Sequence, residues 1–300
     1  WNALARTWWQ GLARLQAEVA EIHLETSQLF LDWKTATAGD WVAAMAVPPA
    51  IRFGDLRVSM DQIPNGIPQD EQLKAAVPED FSLPALLPFP TGCSMLFKAT
   101  GMGRIQAVDA LQAVMLRFLT SIPPGKVRFT IIDPVGLGEN FAAFMHLADY
   151  DEQLVTNRIW TESQHIDHRL TDLTEHMENV IQKYLRNEFE TIEQYNAHAG
   201  EVAEPFRIVV VANFPANFTE ATARRLVSIA SSGARCGVYT LVSVDTKVPM
   251  PHGFNLADLE HYSKVVCWQD ERFVWKDPDF ERLPLALDTL ALYYNKTLLD

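Results

Sequence analysis

Lys98-Ala99-Thr100-Gly101-Met102-Gly103-Arg104-Ile105 constrains the fold more than any other segment of the chain. An apolar run from Ser94 to Phe97 leads into it, and a helix-like run from Gln106 to Leu119 leads out. Strand, glycine-rich turn and helix N-terminus, in that order, make the layout of a phosphate-binding loop. The glycines let backbone N–H groups turn inwards around an anion, and the helix dipole favours its negative charge. A working loop also sets a lysine on the outer phosphates and a Ser or Thr hydroxyl on magnesium. Arg104 and Ile105 stand at those two places, so the scaffold is present with its reactive groups changed.

The chain downstream alternates strands and helices. Val127 to Ile132 is an apolar, β-rich run closed by Asp133-Pro134, and Arg207 to Val211 and Val238 to Val244 are further buried-type strands. The spacing of Ile166, Leu170, Leu173, Met177, Val180 and Tyr184 predicts one long helix over His165 to Ala199. A second helix is expected over Glu220 to Ser232, and a hairpin over Val265–Trp268 and Arg272–Trp275. Alternation of this kind implies a mainly parallel sheet with helices on both faces, whose ligands gather at the carboxyl ends of the strands. Upstream, prolines 64, 68, 78, 84, 88 and 90 exclude a long helix or a central strand between Ile63 and Pro90, after a strand over Ile51 to Met60.

Residues 1 to about 36 read as a helix. Trp8, Leu12, Leu15, Val19, Ile22, Leu29 and Trp33 follow heptad steps interrupted at Thr26. The seam fits a coiled coil or an amphipathic helix lying on the domain's own core. The expected division is a helical segment over 1–47, a phosphate-loop domain over 48–285 and a linker over 286–300.

Taken together, residues 50 to 285 resemble the motor domain of the FtsK/SpoIIIE family of DNA-translocating ATPases. That family's Thr-Gly-Ser-Gly-Lys-Ser loop is matched by Thr100-Gly101-Met102-Gly103-Arg104-Ile105, with Val108-Asp109-Ala110 continuing in step. Its Ile-Asp-Pro-Lys strand end is matched by Ile132-Asp133-Pro134-Val135. Its long-helix pattern is matched by Met177-Glu178, Tyr184 and Tyr195-Asn196. The resemblance implies an α/β, RecA-like P-loop domain with a mainly parallel sheet flanked by helices, here preceded by a long N-terminal helix.

The departures fall on the chemistry. The family's Val-Asp-Glu-Phe-Ala-Asp strand end becomes Val211-Ala212-Asn213-Phe214-Pro215-Ala216, which lacks the magnesium-holding and water-activating carboxylates. Val244-Asp245 replaces the phosphate-sensing Thr-Gln, and Lys98 replaces the first glycine of the loop signature. Hydrolysis by this copy is therefore not expected, because catalysis of phosphoryl transfer is almost wholly electrostatic. The candidate cofactor-binding residues are Lys98, Thr100, Gly101, Met102, Gly103, Arg104 and Ile105, with weak or absent ATP binding and no magnesium expected. Ile105 is expected to pack into the core. No catalytic residue and no metal ligand is named.

The resemblance implies partners among other domains of the same polypeptide or a ring of homologous ATPase domains, with DNA or a secreted protein handled by the whole assembly. The expected role is that of a pseudo-ATPase module in a DNA-translocating or segregation machine. Two alternatives are a type VII-secretion-like tandem module that binds protein substrates, and a nucleotide-free interaction module. Arg224, Arg225 and Arg235 could reach a neighbour's site or be ordinary solvated arginines. A net charge of −13 disfavours a standalone nucleic-acid sleeve. Cys93, Cys236 and Cys267 are odd in number and lack a CxxC, so buried thiols in a reducing, cytoplasmic compartment are expected. No apolar run reaches the roughly 18 residues that cross a bilayer. The start at Trp1, without methionine or leader, fits a piece of something longer.

Three further readings stay open. His165 and His168, one helical turn apart, either hold a metal or sit on a solvated helix start. Asp133 either binds magnesium or a neighbour, or caps the turn after its strand. Trp8-Trp9 and Tyr293-Tyr294 contact other domains or are buried within the chain.

Overall fold

The computed structural model describes residues 1–289, apart from 34–38, 40, 75, 76, 79, 156, 157 and 187. The elements in chain order are α1 (Asn2–Leu29), β1 (Ala50–Ser59), α2 (Glu71–Lys74), β2 (Asp80–Pro88), β3 (Met95–Ala99), α3 (Met102–Ser121) and β4 (Val127–Ile132). They continue with α4 (Ser163–Val180), α5 (Ile192–Ala199), β5 (Phe206–Phe214), α6 (Glu220–Ser232), β6 (Val238–Asp245) and α7 (Leu256–Glu260). β7 (Lys264–Gln269), β8 (Arg272–Trp275) and β9 (Leu285–Leu287) close the described chain.

The main sheet has the order β4-β5-β6-β3-β7-β8. Its strands from β4 to β7 pair in parallel, and β8 turns back on β7 as an antiparallel hairpin edge. Every residue of β6 is buried, as is every residue of β5 except Arg207. Strands covered on both faces need no polar alternation, which is why both read as unbroken apolar runs. Each such Val, Leu or Ile contributes about 1.5–3 kcal/mol by leaving water.

α3 is apolar nearly all the way round, from Ala107 to Phe118, because it touches both this sheet and a second one. The second sheet, in the order β2-β1-β9, is antiparallel and absent from the sequence reading. Its β2 is an edge strand inside the proline-rich connector, where Pro84 and Pro88 are tolerated. β9 places 285–287, assigned to the domain end and linker, against β1. Residues 290–300, including Tyr293-Tyr294, lie outside the described residues.

Two helix expectations are corrected. The predicted helix over His165 to Ala199 ends at Val180, passes through a wider π-type turn at Ile181–Leu185, and resumes as α5 at Ile192. The apolar period continues through that turn, so periodicity alone cannot locate the break. α1 keeps the predicted seam in its first half, where Trp8, Leu12, Leu15 and Val19 are buried or half-buried, but beyond it Ile22 and Leu29 face out while His23, Thr26 and the following Phe30 turn inwards. The helix lies along β2, where His23 Nε2 is 2.8 Å from the Ser82 carbonyl.

Arg117, 2% exposed, fastens this layer to α3. It donates to Asp288 Oδ2 at 2.8 and 3.2 Å and to the Leu31 carbonyl, and its guanidinium lies 3.6 Å from the Trp33 ring centroid. Burial lowers its pKa, and the Asp288 carboxylate opposes that fall.

Candidate functional site: a closed phosphate-loop cradle

β3, a two-residue turn and α3 form the predicted strand–loop–helix unit, with its mouth at the carboxyl edge of the parallel sheet. The turn is tight. Gly103 N–H donates to Thr100 O at 3.0 Å and Arg104 N–H to Gly101 O at 3.2 Å. Two N–H groups that an anion would use are thus occupied within the loop. Gly101 has φ +53°, ψ −126°, a conformation suited to glycine. Gly103 is required for space: a Cβ there would lie 2.4 Å from Trp268 Cγ, because the indole from β7 covers the first turn of α3.

The side chains at the altered positions meet one another. Arg104 Nη1 lies 2.9 Å from Asp245 Oδ2, and its Nε and Nη2 donate to Asn213 Oδ1 at 3.3 and 3.2 Å. Asp245 ends β6 and is 6% exposed; its other oxygen accepts from Lys247 N–H at 3.0 Å. The β5–β6 ladder shifts register between Val211 and Phe214, and Asn213 takes φ +57° there. Its N–H is fixed by Ser243 Oγ at 2.9 Å. The Arg104 guanidinium is therefore held by the Asp245 carboxylate and the Asn213 amide.

The remaining candidates are placed as follows. Lys98 lies within β3, between Val244 and Cys267 in register, and its Nζ pairs with Glu260 at 2.5 Å instead of entering the loop. It lines a pocket of 590 Å³ with Thr100, Val248, Met250, Cys267 and Trp268. Ile105 is corrected: it is 58% exposed, because it follows the turn on the outer side of α3. Met102, at 66%, and Leu137, at 80%, are exposed at the same sheet edge. Asp133 is fully buried and caps its turn, accepting from Gly136 N–H at 3.0 Å and from Asn140 Nδ2 at 3.0 and 3.2 Å.

The arginines weighed for a neighbour's site all have partners in this chain. Arg224 binds Glu220 and Gly253 O, Arg225 binds Asp167, and Arg235 binds Glu190 O. His165 and His168 sit beside Glu162 and Asp172, and no group of three metal-ligating side chains occurs among the described residues. The three cysteines are free and buried. The Tyr184 and Tyr195 rings meet at a 50° tilt with centroids 4.9 Å apart, and the Asn196 amide exchanges two 2.8 Å hydrogen bonds with the Glu204 backbone, so those motif positions tie α5 to the turn after α4 and to the segment leading into β5. Sequence reasoning placed Arg104, Asn213 and Asp245 at one sheet edge but missed that they bind each other, and it missed Trp268 and Glu260 altogether.

With this geometry in place, similarity to solved structures becomes informative. Thermomonospora curvata EccC (ATPases 2 and 3), in complex with a signal sequence peptide, superposes with a TM-score of 0.58 at 16% identity, over 88% of this chain and 48% of that one. EssC (ATPases 2 and 3) from Geobacillus thermodenitrificans superposes with a TM-score of 0.55 at 14% identity, over 83% of this chain and 44% of that one. The fold is that of a P-loop ATPase domain. No family model and no curated protein sequence matches the chain. The P-loop ATPase fold described here spans less than half the length of those two structures. Among the described residues no helix is long and apolar enough to cross a membrane.

Proposed function

We propose that the chain is a catalytically silent, FtsK/SpoIIIE-like module of a larger, cytoplasmic multi-domain motor, and that it serves assembly and not hydrolysis. One observation carries this reading: Arg104 is engaged by Asp245 and Asn213 in the place where phosphates would bind. A triphosphate entering the loop would have to displace a half-buried ion pair and then face the Asp245 carboxylate. Neither Ala212 nor Asn213 can act as a base, and Ile105 offers magnesium no oxygen. The exposed Met102, Ile105 and Leu137 at that edge supply an apolar surface for a neighbouring ATPase domain of the same polypeptide.

Of the two cargo classes, protein fits better than DNA. The net charge is −13, and the similar structures include ATPase modules 2 and 3 of EccC with a signal sequence peptide bound. Calorimetry with Mg-ATP, together with a phosphate-release assay on the purified chain, tests the reading. No binding at micromolar nucleotide and no turnover are expected; motor-like turnover would overturn it.

A further inference from the structure

A second concentration of charge lies at the opposite, amino-terminal edge of the parallel sheet. Arg128 in β4 and Arg207 in β5 are register partners on adjacent parallel strands. Paired positions on neighbouring strands share a face, so the two side chains leave the sheet on the same side. Like charges directly opposite each other destabilise a sheet. Lys126 precedes Arg128 by two residues and reaches the Ala203 carbonyl at 3.3 Å, adding a third cation to the same end. The opposing carboxylates are Glu204, 3.2 Å from Arg207 Nη2 and attracting Arg128 as well, and Asp151, which attracts Arg128 less. Arg128 itself donates to Gln153, a neutral partner.

A third element covers this spot. His176 of α4 is 3.7 Å from Glu204 Oε1, too far for a hydrogen bond. Its Nε2 and the Nε of both Arg128 and Arg207 are buried with no hydrogen-bond partner. Burial and the field of Arg207 and Arg128 push its pKa down to about 4, although Glu204 pulls the other way. Positive potential therefore prevails locally in a chain that is acidic as a whole.

We infer that Arg128, Arg207 and His176 form a binding site for a small phosphate-class oxyanion. Adjacent strands stand ~4.8 Å apart, which lets two planar guanidinium forks hold different oxygens of one tetrahedral anion. The anion would displace the Glu204 carboxylate from Arg207, neutralise the cross-strand repulsion more fully than that single charge does, and give the imidazole a reason to become a donor. The site is at the other edge of the sheet from the Arg104 cradle, and it does not depend on whether that cradle binds nucleotide.

The test uses the whole chain and inorganic phosphate, with sodium chloride at matched ionic strength as reference. Phosphate is expected to raise the thermal midpoint saturably, and NMR of the His176 ring is expected to show its pKa moving upwards. Arg128→Gln should raise the midpoint in phosphate-free buffer, since it removes the repulsion, and weaken phosphate binding about tenfold. Arg104→Gln should leave the phosphate response in place. The inference fails if phosphate acts no differently from chloride, if Arg128→Gln lowers the phosphate-free midpoint and keeps the response, or if Arg104→Gln abolishes it.

Discussion

Arg104 and Asp245 lie 2.9 Å apart across the mouth of the loop between β3 and α3, one at the start of a helix and the other at the end of a strand. Either residue alone would be costly. A free arginine would still attract phosphate, and a nearly buried aspartate without a cation would lack a counter-charge. Together they satisfy each other, with Asn213 completing the set.

Asp245→Asn should therefore reopen the cradle. The variant keeps an oxygen for Lys247 N–H and loses only the charge, so a stability loss of about 1 kcal/mol is expected. Arg104, no longer neutralised, should then bind ADP about tenfold more tightly than in the parent chain. Isothermal calorimetry of the two proteins decides the matter. Equal affinities would mean that the ion pair does not govern access.

Gly103→Ala should destabilise the chain by about 1–3 kcal/mol, because the new methyl meets the rigid indole of Trp268 and not a flexible chain end. Trp268→Leu should recover part of that loss in the double variant. Urea denaturation of the two single variants and the double variant closes the cycle, and purely additive effects would refute the contact.

What the sequence revealed depended on how local the cause was. β4 and α6 match their predicted bounds because each carries its own signals. The run Val127 to Ile132 is stopped by Asp133-Pro134, and Thr219 caps Glu220–Ser232 by accepting from Thr222 N–H at 3.2 Å. The β1–β9 pairing joins segments from opposite ends of the chain and leaves no local trace. Thr26 interrupted the predicted seam of α1, yet it is buried, because its hydroxyl bonds back to the Ile22 carbonyl at 2.7 Å and no longer needs water. At the site, the loop positions were legible one by one. The engagement of Arg104 by Asn213 and Asp245 was not, since it depends on two strand ends and the first turn of α3 meeting in space.

Arg117→Ala should cost about 3–5 kcal/mol. The change strips the nearly buried Asp288 of a counter-charge, empties the space over the Trp33 ring and releases the Leu31 carbonyl. Arg117→Lys should recover little, since an ammonium cannot serve those three partners from one plane. Thermal unfolding followed by circular dichroism measures both, and a loss below about 1 kcal/mol for the alanine variant would show that the clasp is dispensable.

Acid should weaken the fold through His176. The folded-state pKa is near 4 and the ordinary value is 6.5, so between those limits the unfolded chain binds more protons than the folded one. Stability must then rise with pH across that window, and the neutral imidazole's contribution is complete above about 6.5 and lost as pH falls towards 4. A shift of this size corresponds to about 3 kcal/mol. His176→Gln, which cannot take a proton, should flatten the urea midpoint between pH 6.5 and 4 relative to the parent chain, whereas an unchanged slope would show that the histidine does not sense the Arg128–Arg207 field.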